Sequence, residues 1–94
     1  MRFHEPFDDV QYDAAVKRHR MMRDNLKDLR RRYPARSLDE TRLLKVYRDT
    51  VQEFGRELLK PYDRIDLERL NDLTERVIAA FLDYGSVRGF GQGA

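Results

Sequence analysis

Tyr12, Ala15, His19, Met22, Leu26, Leu29 and Tyr33 follow one another at alternating steps of three and four residues. That rhythm puts all seven on one stripe of an α-helix, spaced as in a coiled-coil seam. The start of this helix is marked by Asp8 as N-cap, with Gln11 three residues on in the capping-box position. Phe7 and Tyr12 occupy the two positions of a hydrophobic staple. Pro34 forces the residue before it out of the α region, so the predicted helix runs over 8–33 and spans roughly 37 Å.

Two further seams follow. Leu44, Tyr47, Val51, Phe54 and Leu58 repeat the three-four spacing, with Leu43 widening it. Ser37-Leu38-Asp39-Glu40 opens this second helix as a capping box, and Lys60-Pro61 closes it, giving 38–60. Gly55 lies inside it, where glycine costs about 1 kcal/mol relative to alanine. That cost points to a close crossing that a Cβ would obstruct. The third seam is Leu67, Leu70, Thr74, Val77, Phe81 and Tyr84, capped by Asp66 or Asp63, with Ile65 and Leu70 set as a staple. Gly85 stands where a C′ glycine ends such a helix, giving 66–84.

These elements predict an all-α fold: a three-helix bundle, or a long antiparallel helical hairpin with a third helix packed on it. The connection of about three residues between the first two helices favours the hairpin. Residues 1–7 are expected as an N-terminal arm and 85–94, with four glycines, as a C-terminal arm. Ninety-four residues hold one core. Mean hydropathy of −0.82 and 38% charged residues are polar enough to raise disorder, but the helical periodicity argues against it.

The absence of cysteine excludes disulfides, thiolate nucleophiles and sulfur-ligated metals. No stretch approaches the ~20 apolar residues of a membrane span, and no signal-peptide pattern opens the chain. The expected location is the cytoplasm, or an assembly formed there. No cofactor, catalytic group or metal site is expected. His19 sits mid-seam without a second histidine at i+3 or i+4, and neither it nor His4 follows an acid by three residues.

Charge changes the picture more. Residues 12–36 carry net +6, while 1–11 and 37–94 each carry −2. Arg20, Arg23, Lys27 and Arg30 run beside the first seam, extended by Arg31 and Arg36, as candidate phosphate contacts for nucleic acid or a nucleotide. Against that use, Asp13–Lys17, Arg20–Asp24 and Asp28–Arg32 are spaced to pair within the helix. The acids Asp49, Glu53, Glu57, Glu68, Asp72 and Glu75 of the other helices are expected to face the flank as well.

The seams carry Tyr12, Tyr33, Tyr47 and Tyr84, residues suited to half-wet edges and interfaces. Together with His19, Met22 and Phe54 they form the expected interaction seam; Val87, Arg88 and Phe90 form an expected docking segment. The leading expectation is therefore a non-enzymatic interaction or assembly protein. It would associate with itself or another protein, as an oligomer or as a subunit of a larger assembly such as a virus-like one. Nucleic-acid binding is the alternative and a small helical enzyme the least favoured.

Overall fold

A computed structural model describes residues 9–89. Three helices follow in order: α1, Asp9–Arg32; α2, Leu38–Leu58; and α3, Leu67–Arg88. A short 3₁₀ turn, Tyr62–Arg64, lies between the last two. The fold is an all-α three-helix bundle with α2 central: it packs extensively on α3 and on α1, whereas α1 and α3 meet only weakly. Asp8 and Phe7, which carry the expected cap and staple of α1, lie outside the described residues, as does the N-terminal arm.

The remaining caps have clear geometry. Ser37, in extended backbone, accepts a hydrogen bond from the Glu40 N–H at 3.1 Å. Glu40 departs from the usual capping box by reaching one residue further back, accepting from the Arg36 N–H at 2.8 Å. Asp66 caps α3 by accepting from the Arg69 N–H at 3.2 Å. The Asp66 N–H in turn donates to the buried carboxylate of Glu57 at 2.9 Å, tying the end of α2 to the start of α3.

The three seams meet in one core. Phe54, Leu70, Leu73 and Tyr84 are wholly buried, and Tyr47 nearly so. Side chains of this size each contribute about 1.5–3 kcal/mol by leaving water. Leu70 and Ile65, the expected staple of α3, are both in this core.

Two helix ends differ from the sequence reading: α2 stops at Leu58, two residues short of the expected 60, and the end of α3 differs more. The third helix does not end at Gly85; it continues to Arg88, and Gly89 takes the left-handed cap at φ 81° with its N–H on the Gly85 carbonyl. Tertiary contacts hold the extra turn. Tyr84 donates its hydroxyl proton to the Tyr33 carbonyl. One turn on, the Arg88 guanidinium lies 5.8 Å from the Tyr33 ring centre and 3.8 Å from Glu40. These contacts outweigh the weak helix propensity of a buried Gly85.

Candidate functional site

Phe54 is the fixed point from which the candidate site is built. Fully buried on α2, its ring carries the imidazole of His19 in a parallel stack, with centroids 5.9 Å apart. Beside it Gly55 leaves room for that imidazole. A Cβ at this position would lie 2.8 Å from His19 Nε2, so the close crossing inferred from the mid-helix glycine is a seat for His19. Burial lowers the His19 pKa below 6.5, and the Arg23 charge lowers it further, against a hydrogen bond to the Val51 backbone. The imidazole is therefore neutral at pH 7.

From this seat a groove of about 760 Å³ runs between α1 and α2, on the side away from α3. Its floor includes Leu26, Val51 and Gly55; Arg23, Lys27 and Arg30 rise from α1, and Arg48 and Arg56 from α2. No carboxylate lines it among the described residues.

This corrects the expected charge balance. Asp13–Lys17 and Asp28–Arg32 do pair, both at 3.2 Å, and Arg31 joins Asp28 at 2.7 Å. Arg36 is held on Glu40 at 3.3 Å. Arg20, Arg23, Lys27 and Arg30, however, make no ion pair among the described residues, and the expected Arg20–Asp24 bridge is missing.

The acids of the other helices do not reach α1, because nearer bases take them. Asp49 holds Lys45 and Arg48, Glu53 holds Arg69, Glu57 holds Lys60, and Asp72 holds Arg76. Glu68 and Glu75 make no ion pair among the described residues. The basic flank thus faces Arg48 and Arg56 across the groove. Those two partners were missed by sequence reasoning. They stand eight residues apart on one edge of α2, a signal that acquires meaning only once α1 and α2 lie side by side.

The expected interaction seam is largely consumed inside the chain. Met22, Tyr47, Phe54 and Tyr84 are buried. The Tyr47 hydroxyl accepts from Asn25 Nδ2 at 2.7 Å, and burial raises its pKa against that hydrogen bond. Tyr12 packs its ring 5.0 Å from that of Tyr62. Tyr33 is 38% exposed and receives Tyr84 on its carbonyl. The Tyr47 and Tyr84 hydroxyls find partners within the fold, so the seam does not offer these two to another chain. Of the expected docking segment, Arg88 is turned inward onto Glu40, Val87 is exposed, and Phe90 lies outside the described residues.

A second groove, of about 570 Å³, opens between α1 and α3. Met21 and Ile78 border it, with the acids Asp24 and Asp28 and the cation Arg18 on its rim. Arg18 spans it, donating to Thr74 Oγ1 at 3.0 Å while its guanidinium lies 5.9 Å from the Phe54 ring centre.

Among the described residues no three histidines, cysteines or acids come together as a metal site, and no helix is long and apolar enough to cross a membrane. Comparison with protein-family models, with curated proteins and with solved structures yields no match to this chain.

Proposed function

We propose that this chain is a non-enzymatic binding module whose α1/α2 groove receives an acidic amphipathic helix of a partner protein. The observation that carries this reading is the groove's composition: five cations around an apolar floor, with no carboxylate in the lining among the described residues. A helix laid in such a groove buries its apolar stripe on Leu26 and Val51 and sets its acidic flanks against the two basic rims. Cations of one sign gathered along a cleft also speed encounter with an acidic partner.

The basic rim alone would equally suit a phosphate backbone. The floor favours the helix: its one ring among the described residues is His19, held on Phe54 by one face, so it offers no row of rings for successive bases to stack on.

Fluorescence anisotropy separates the two. The probe is a labelled helical peptide of leucines at i, i+4 and i+7 flanked by glutamates, run against single- and double-stranded DNA and RNA oligonucleotides. The peptide is expected to bind, more weakly at high salt. Arg23→Glu with Arg30→Glu should weaken it by at least about tenfold, and replacing the peptide leucines by serine should abolish it. Nucleic acid binding more tightly than the peptide would overturn the reading.

A further inference from the structure

The chain carries a surface that matches its own groove. On α3, Ile78 and Leu82 stand four residues apart and are 53% and 61% exposed, a pair of large apolar side chains on adjacent turns. Glu75 and Asp83 border this ridge at its two ends and, like Glu68 further along the same face, make no ion pair among the described residues. The ridge is thus a short acid-flanked amphipathic helix face of the kind the α1/α2 groove suits.

The spacings agree as well. Glu75 and Asp83 are eight residues apart on α3, and Arg48 and Arg56 are eight residues apart on α2. In each case the charges are separated by about 12 Å along the helix. The two surfaces do not compete within one molecule, since no residue of α3 lines the α1/α2 groove.

We infer that the occupant of the groove is α3 of a second copy, entering with Ile78 and Leu82 toward the floor and Glu75 and Asp83 toward the Arg48–Arg56 rim. This inference rests on the groove reading given above and names its partner. The contact joins unlike surfaces, so each copy has one groove filled and one ridge engaged. Such head-to-tail contacts propagate into a ring or an open chain, not a closed two-fold pair.

The test uses two variants of the full chain, each lacking one half of the contact. Arg48→Glu with Arg56→Glu reverses the rim that meets Glu75 and Asp83 and keeps the ridge; Ile78→Lys with Leu82→Lys removes the ridge and keeps the groove. None of the four positions is buried, and circular dichroism and thermal melting verify that each variant stays folded.

Sedimentation equilibrium of the unaltered chain should show mass rising with concentration and falling with salt. Each variant alone should associate at least about tenfold more weakly. Mixed together, the variants should form a species of two chains, the groove of one holding the ridge of the other. Separate monomers in the mixture, or undiminished self-association of either variant alone, would overturn the inference. An unaltered chain that stays monomeric yet binds the acidic peptide defeats only the self-docking and leaves the groove reading intact. Failure to bind the peptide, with self-association also absent, defeats both.

Discussion

Helix α1 borders two grooves of similar size and unlike character. Toward α2 it presents Arg23, Lys27 and Arg30, which meet Arg48 and Arg56 across an apolar floor. Toward α3 it presents Met21, Asp24 and Asp28, with Arg18 crossing to Thr74. An apolar floor is thus no distinguishing mark here, because α1 leaves a cleft along each of the two helices it lies beside. Their rims set the grooves apart. One is of a single sign and unbridged; the other mixes signs and is spanned by its own hydrogen bond. Selectivity for an acidic partner therefore belongs to the first groove and not to the second.

The strongest way to break this contrast is to remove what both grooves share. Phe54 supports His19 in one groove and Arg18 in the other. Phe54→Ala should cost about 3–5 kcal/mol, read from the midpoint of urea denaturation, and erase both clefts together. Charge reversal sharpens the contrast instead. Arg23→Glu with Arg30→Glu should cost at least about tenfold in acidic-peptide affinity yet leave stability within about 0.5 kcal/mol. Asp24→Lys, on the second groove, should leave the peptide's affinity unchanged in the same anisotropy titration.

A smaller effect is expected at the seat of His19. Gly55→Ala gains about 1 kcal/mol of helix propensity but drives a Cβ against Nε2, so the imidazole must leave its stack. The two effects should nearly cancel. In a His19→Ala background the same substitution should stabilise by about 1 kcal/mol, and a double-mutant cycle of denaturation midpoints should show the coupling. Additive behaviour would mean that Gly55 does not exist to seat His19.

The smallest expected effects are those of pH. The folded state lowers the His19 pKa below 6.5, chiefly by burial. It also lowers that of Glu40 below 4.5, chiefly by the hydrogen bond from the Arg36 N–H, against the opposing effect of burial. In both cases the unfolded chain binds more protons as pH falls. The His19 contribution is therefore complete above pH 6.5 and lost as pH drops through its lowered folded value; the Glu40 contribution is complete above pH 4.5 and lost below it in the same way. Denaturation midpoints followed from neutral to acid pH should decline in two steps. His19→Gln should flatten the upper step and Glu40→Gln the lower.

Helix number, order and most boundaries were legible in the chain, because three-four spacing and the Ser37 and Asp66 caps are local signals. The features misjudged most were non-local. Gly85 reads as a helix end until Arg88 finds Glu40 and Tyr33, residues more than forty positions away. The flank of α1 reads as paired with acids until the bundle shows each acid of α2 bound to a nearer base.

The amino-acid sequence by itself determined the three amphipathic helices, their caps and the need for a small residue at position 55, since each depends on neighbours within a turn or two. Only the tertiary structure decided which surfaces those helices share. Packing α2 between α1 and α3 consumed Tyr47 and Tyr84 as internal hydrogen-bonding groups, leaving α1's unpaired cations opposite Arg48 and Arg56. The physical reason is that spacing along a helix assigns a residue to a face, while the sign of the charge across a groove depends on which second helix comes to lie there.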